Sequence, residues 1–313
     1  MIRTKILRDI IDSKIEFKNF QEIIYYLYSF EIPKLNYIPI AFCPDNNYGP
    51  LVYTSMISIL ISKEYYTYII FFIIIPHDFE KKNILLSESL YEQFEYFNIT
   101  YIKMDNRYQN AFTASYFTIS AFYRFSLGEL IPDLNKIIYM DADTICLTDL
   151  ANLYNLNFKG KIILGQVLST NRSFRTGYYS INSGILLLDL RAMRKIEMEK
   201  KVLRIINNRR KILDQSIINE YFFKYIGLFP PKYNAYSLDY RRVVQFNNRS
   251  GNLYNNDYLY FSFIHPSIRH FIGPKGDLFT KKEWAYFARQ SKYFNKLTKN
   301  FCDIYNYSSK YFK

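Results

Sequence analysis

Cysteine is scarce in this chain. Three occur in 313 residues (Cys43, Cys146, Cys302), far apart and with no Cys-x-x-Cys pair. A disulfide framework and a cysteine zinc site are thereby excluded, and the usage suits a reducing compartment. Long apolar runs are missing as well. The longest, Tyr68 to Ile75, covers eight residues, against about 20 for a membrane-spanning helix, so it reads as a buried strand. The amino-terminal stretch alternates charge with aliphatics and lacks the apolar core of a signal peptide. A protein without a spanning segment is expected. Acidic residues are outnumbered: 28 Asp and Glu face 41 Lys and Arg, a net charge of +13. An anionic partner follows, whether nucleic acid, phospholipid headgroup or phosphorylated substrate. No RNP, KH or helix-turn-helix pattern is found, which argues against nucleic acid.

What is present is globular in proportion, with 49% hydrophobic and 22% charged residues. Strand-like runs (37–42, 68–75, 99–104, 136–140) alternate with helical patterns (48–61, 80–97, 114–130) through the first half. That alternation predicts βαβ units and a mostly parallel central sheet flanked by helices, an α/β fold. Further strands are expected at 161–166 and 179–188, and helices at 191–207 and 214–225. From Pro230 the pattern becomes irregular. The expected division is a helical lead over 1–36, a main domain over 37–280 and a basic, aromatic tail over 281–313.

The sharpest chemical feature follows the fourth strand, Lys136-Ile-Ile-Tyr-Met-Asp141-Ala142-Asp143. Residues two apart on an extended chain point the same way, so Asp141 and Asp143 present two carboxylates just past a strand's carboxyl end. Ligands bind at that rim of open α/β sheets, and two adjacent carboxylates are relieved by a hard divalent cation. Acid-x-acid is cheap, however, with about 2.5 chance occurrences expected at this composition and three present. The pair needs company, and His270 supplies it. It sits in His270-Phe-Ile-Gly273-Pro-Lys275, where an imidazole ligand, a bare glycine backbone and an ammonium suit a metal-and-phosphate loop. A mixed carboxylate and imidazole set favours Mn²⁺ or a similar ion over Ca²⁺. The alternative is a structural histidine in a Gly-Pro turn.

Five motifs in order over about 38–279 resemble glycosyltransferase family 8, retaining enzymes of GT-A fold that include bacterial lipopolysaccharide galactosyl- and glucosyltransferases and glycogenin. They are Ile40-Ala-Phe-Cys-Pro-Asp45-Asn-Asn47-Tyr48; Tyr123-Arg124 followed by the Asp-Ala-Asp strand; Asn182-Ser183-Gly184 in an apolar run; Leu213-Asp214-Gln215; and His270-x-x-Gly273. Here Lys275 arrives one residue earlier after that glycine than is usual in the family. The resemblance implies that Asp45, Asn47 and Tyr48 contact the base or ribose of a UDP-sugar. Asp141, Asp143 and His270 would hold Mn²⁺ or Mg²⁺ at the diphosphate, with Ala142 beside them. Arg124, Asn182, Ser183, Asp214 and Gln215 would surround the donor sugar, Asp214 and Gln215 as the catalytic pair, while Gly273 and Lys275 touch phosphate. It further implies hexose transfer to a glycan or lipid-linked glycan acceptor at the cytoplasmic face of the membrane. A catalytically inactive, nucleotide-sugar-binding relative is the alternative.

Residue chemistry alone gives two of these side chains a second role and gives a third an independent reason for its sugar contact. Asp214 opens a helix and would serve as its N-cap. Arg124 would pair with Glu129 or Asp133. Asn182, in a hydrophobic strand, needs hydrogen-bond partners, which sugar hydroxyls would provide. The tail carries eight Lys and Arg against two acids, interleaved with ten aromatics including Trp284 and Phe287. Such a segment suits an anionic membrane surface, rings at headgroup level; its alternative is a final helix packed on the domain.

Overall fold

A computed structural model describes residues 35–113, 118–170, 179–209, 211–236, 244–245, 247–248, 253–271 and 278–290. The lead over 1–34, Gly273, Lys275 and the tail beyond 290 lie outside the described residues.

The apolar runs become strands at the expected places. β1 (Asn36–Phe42), β2 (Thr67–Ile75) and β3 (Phe97–Lys103) pair in parallel. β4 (Lys136–Met140) returns to the other side of β1, also parallel. β6 (Ile163–Thr170), β7 (Tyr179–Asp189) and β8 (Ile226–Leu228) complete a seven-stranded sheet of order β3-β2-β1-β4-β7-β6-β8, with β7 antiparallel to both β4 and β6. β1 and β4 diverge at the point where strand order reverses, the crevice where open α/β sheets hold ligands. A second, two-stranded sheet joins β5 (Thr144–Cys146) to β9 (Ile268–His270).

Helices cover both faces. α1 (Gly49–Ser62) opens with Pro50, whose missing N–H and fixed φ suit a first turn. Gly49 through Leu60 are all buried. The covering element is α6 (Leu278–Arg289), which packs on α1 and β5. Between them lie α2 (Lys81–Glu88), α3 (Met198–Asn208), α4 (Asp214–Tyr221) and α5 (Asn256–Ile264).

Several expected helices are shorter than the pattern suggested. The 80–97 stretch gives α2 and a 3-10 turn, Ser89–Glu92, before β3 begins. The described part of 114–130 is a 3-10 helix, Ile119–Ser126, with one α turn after it. The 191–207 pattern breaks at Glu197, which takes a left-handed φ of 52° between Leu190–Lys195 and α3. The irregular-looking region after Pro230 contains α5 and β9.

The tail expectation needs correction where it can be compared. Trp284 is fully buried and Phe287 nearly so, both in the core that holds β1 and β2, and the boundary expected after residue 280 falls inside α6. These rings are core, not headgroup anchors. Behind them the guanidinium of Arg269, fully buried on β9, donates from Nε to Glu283 of α6 at 2.8 Å and from Nη1 to the Phe263 carbonyl at 2.8 Å. Removing one partner of a buried ion pair strands the other.

Trp284→Ala is expected to cost about 3–5 kcal/mol of unfolding free energy, the usual loss for emptying a buried aromatic site, read by urea denaturation. A loss under about 1 kcal/mol would mean that α6 merely rests on the domain.

Candidate active site

The site forms where β4 leaves the main sheet. The Asp141 N–H donates to the Gly184 carbonyl at 2.7 Å, tying the strand exit to β7. Two residues later the Asp143 carbonyl accepts from Phe271 N–H at 2.9 Å, and Thr144 pairs with His270 across β5 and β9. That small sheet carries the imidazole to carboxylates far away in sequence. One ligand atom from each of Asp141, Asp143 and His270 lies within 4.8 Å of the others, and His270 Nε2 is 3.3 Å from Asp143 Oδ1. Among the described residues this is the one such cluster of three. Gly184 permits it: a Cβ there would overlap His270 Cε1 and come within 2.9 Å of Asp141 Oδ2.

Asp141 is held from behind. Its Oδ1 accepts from Tyr139 Oη at 2.6 Å and from Arg124 Nη2 at 3.1 Å. Arg124 also stacks over the Tyr139 ring at 4.2 Å, donates to the Ser183 carbonyl and meets Asp214 Oδ2 at 3.3 Å. Its expected partners Glu129 and Asp133 are replaced by the acids of the site. Burial pushes the Asp141 carboxyl up, and Asp143 adds to the rise, against the lowering by Arg124, His270 and Tyr139. Burial opposes the charged imidazole of His270, yet Asp143 and Asp141 outweigh it and raise its pKa.

Two carboxylates (Asp141, Asp214) thus pair with one guanidinium while Asp143 faces His270, an excess of negative charge. An imidazole nitrogen and carboxylate oxygens converging on that excess match the donor set of Mn²⁺ or Mg²⁺. These residues fit a divalent cation.

The neighbouring wall comes from β7 and α4. Gln215 Oε1 accepts from Ser183 N–H at 3.1 Å and from Asn182 Nδ2 at 3.3 Å. Ser183 Oγ donates to Asp214 Oδ2 at 3.2 Å. Asn182 Oδ1 accepts from Gly184 N–H at 3.0 Å and from Asn234 Nδ2 at 2.8 Å. The expectation that sugar hydroxyls satisfy Asn182 is therefore corrected: protein groups take its oxygen and one amide hydrogen. The N-cap reading of Asp214 is corrected too. Leu213 is the cap of α4, and Asp214, in the first turn, is buried against Arg124 and Ser183.

At the end of β1, Asp45 Oδ1 accepts from the N–H groups of Asn47 and Tyr48, at 2.9 and 3.0 Å, and so shapes the turn into α1. Ala142, half-buried, packs against the core between the two acids. Two residues escaped the sequence reading. Tyr139 was legible in principle, since it lies two before Asp141 on the same strand face. Asn234, fully buried, accepts from His270 Nδ1 at 2.9 Å; it stands in the irregular stretch and carried no signal.

The fold is a mixed α/β sheet of GT-A type. Residues 39–276 match the Glycosyl transferase family 8, and the chain belongs to that family. Among curated proteins it is similar to General stress protein A of Bacillus subtilis, 26% identical over 190 residues, 56% of this chain and 65% of that protein. It is also similar to the lipopolysaccharide 1,2-glucosyltransferase of Escherichia coli, 28% identical over 134 residues, 37% of this chain and 39% of that one. The matches thus span 65% or less of these relatives' length. Among solved structures, the galactosyltransferase LgtC with donor and acceptor sugar analogs superposes with a TM-score of 0.65 at 17% identity, over 83% of this chain and 100% of that one. The bifunctional glycosyltransferase WbbM also scores 0.65, at 14% identity, over 87% and 53%. At these identities the likeness concerns the fold.

Gly184→Ala should leave the sheet intact and displace the imidazole, lowering Mn²⁺ affinity by about 10–100-fold, the scale seen when the support of a ligand is disturbed. Titration calorimetry beside circular dichroism checks it; wild-type affinity would show that His270 stands elsewhere.

Proposed function

We propose that this chain is a retaining, metal-dependent hexosyltransferase. It moves glucose or galactose from a UDP-sugar to a glycan or lipid-linked glycan acceptor in lipopolysaccharide or surface polysaccharide synthesis. The observation that carries this reading is the convergence of Asp141, Asp143 and His270 within 4.8 Å beside Asp214 and Gln215. Asp141, Asp143 and His270 would hold Mn²⁺ or Mg²⁺. The cation would offset the charge of the diphosphate, making UDP a better leaving group.

The remaining roles belong to the chain's own groups. Asp141, whose Oδ1 already accepts from Tyr139 and Arg124, would be one of the residues that hold the ion. Asp45, Asn47 and Tyr48 contact the base and ribose, and Gly273 and Lys275 the phosphates. Gln215 has its carbonyl oxygen turned onto Ser183 N–H and Asn182, so its amide hydrogens face the donor sugar. An amide nitrogen of this kind donates hydrogen bonds and does not attack an anomeric carbon. Asp214, 2% exposed and paired with Arg124, orients its neighbours and is poorly placed as a nucleophile. These restraints favour same-face attack. The acceptor hydroxyl oxygen bonds to the anomeric carbon as the bond to phosphate breaks, and its proton passes to the leaving phosphate oxygen.

The site lies on the cytoplasmic side in this reading, with the enzyme peripheral to the inner face of the membrane. No helix among the described residues is long and apolar enough to cross a membrane. With Trp284 and Phe287 in the core, contact with anionic lipid rests on the basic residues from Arg289 onward. Salt-sensitive co-sedimentation with anionic vesicles is the expected behaviour; a chain that stays in the supernatant at low salt would remove the membrane from the proposal.

Slow release of UDP from UDP-glucose or UDP-galactose in Mn²⁺ tests the activity. Asp143→Asn, which exchanges a charged ligand for a neutral amide, should reduce it at least about a hundredfold, comparable to losing a main electrostatic stabiliser. Turnover and Mn²⁺ dependence equal to wild type would end the metal assignment. In the same assay Gln215→Glu should depress turnover more than donor binding, and an unchanged rate would take Gln215 out of the sugar pocket.

A further inference from the structure

The hydrogen bonds behind His270 have a direction that can be read from end to end. A backbone N–H only donates, so Gly184 N–H, 3.0 Å from Asn182, requires the carbonyl oxygen of that side chain. An amide oxygen only accepts, so the Asn234 atom 2.8 Å from Asn182 Oδ1 is its nitrogen. That turns Asn234 Oδ1 toward His270 Nδ1 at 2.9 Å. This oxygen too can only accept, and Nδ1 must carry the proton. A second anchor agrees: Ser183 N–H fixes Gln215 Oε1, which accepts from the Nδ2 side of the same Asn182. Amide orientation is assigned through such networks, and here both ends are backbone donors whose sense is unambiguous.

The backbone of Asn234 is fixed. The residue is fully buried. Its N–H donates to the Pro231 carbonyl at 3.1 Å, and the next residue, Ala235, bridges to β9 on both sides: Ala235 N–H to Ile268 at 3.0 Å and His270 N–H to Ala235 at 2.9 Å. The backbone that carries the amide is therefore stitched to the strand that carries the imidazole. Buried Gln166 faces the carbonyls of Pro231 and Asn234, so its own nitrogen donates to both.

We propose that Asn234 is a positioning residue for the metal ligand His270, a reading that rests on the metal site above. The relay Gly184 to Asn182 to Asn234 to His270 holds the neutral imidazole as the Nδ1–H tautomer and turns the Nε2 lone pair onto the space between Asp141 and Asp143. The other tautomer would place a hydrogen on the nitrogen that faces the ion, and no cation could bind there. A metal-bound histidine commonly donates its second N–H to such an outer partner. Asn182 thereby passes the direction of the Gly184 N–H to the far side of the imidazole.

Nitrogen-15 NMR of the histidines at alkaline pH, in metal-free protein, reads the tautomer directly, and only three histidines need assignment. Wild-type His270 is expected to show a protonated, pyrrole-type Nδ1 and a bare, pyridine-type Nε2. Asn234→Ala should lose that preference and bind Mn²⁺ about 10–100-fold more weakly by calorimetry. Asn234→Asp keeps an acceptor for Nδ1–H and should retain the wild-type tautomer, a rescue that a purely packing role would not give. A wild-type Nε2–H tautomer, or wild-type tautomer and Mn²⁺ affinity in Asn234→Ala, overturns the proposal. Should Asn234→Ala fail to fold, the wild-type and Asn234→Asp spectra decide it. The expected tautomers with no Mn²⁺ binding to wild type would overturn the metal reading and leave the relay standing.

Discussion

The site depends on how much negative charge can be kept out of water. Asp141, Asp143 and Asp214 come together at the rim of the sheet, where burial raises the cost of ionising Asp141. Arg124 is the permanent counter-charge. It is 3% exposed and spends its guanidinium on Asp141, Asp214 and the Ser183 carbonyl while its flat face lies on Tyr139. A planar fork with a stackable face satisfies all of these at once, which a lysine cannot do. Three carboxylates beside one permanent positive charge and a titratable imidazole suit a divalent cation, and that imbalance is the chemical asset of the fold.

The surrounding architecture serves to hold this imbalance still. β4 brings Asp141 and Asp143, β7 supplies the carbonyls and amides around them, and β9 delivers His270 from the opposite end of the chain. The pairing of Thr144 with His270 is short, only three residues on each strand. Such a ribbon is marginal alone. Its support comes from outside the sheet: the Ala235 bridge on one edge, and the Arg269–Glu283 pair with Trp284 behind it. Packing of α6 and geometry at the Asp141, Asp143 and His270 cluster are thus linked through β9.

Much of this was legible from residue order. Apolar runs such as Tyr68 to Ile75 read as interior strands, because they are too short to span a membrane and gain most from burial, and their alternation with helical patterns made a parallel sheet the economical arrangement. The acid pair after Met140 announced itself by standing at the end of such a strand. Local patterns were less reliable where tertiary contacts intervened. The aromatics of α6 read as a membrane surface although Trp284 fills the core. The sequence shows how apolar a residue is; what covers it is settled elsewhere.

The amino-acid sequence by itself determined the sheet, the helices that bury it and the chemistry available at its rim, since these follow from hydrophobic period and residue type. Partnership was decided by the tertiary structure. Arg124 had Glu129 and Asp133 within easy reach along the chain, yet it is paired with Asp141 and Asp214. Asp214 stood where a helix cap is expected and is an ion-pair partner. Asn182 was open to any hydrogen-bonding group and is held by Gly184, Asn234 and Gln215. Hydrogen bonds and ion pairs are short-ranged and directional, so their partners depend on which strands and loops the fold brings within about 3 Å, a distance that sequence separation does not encode.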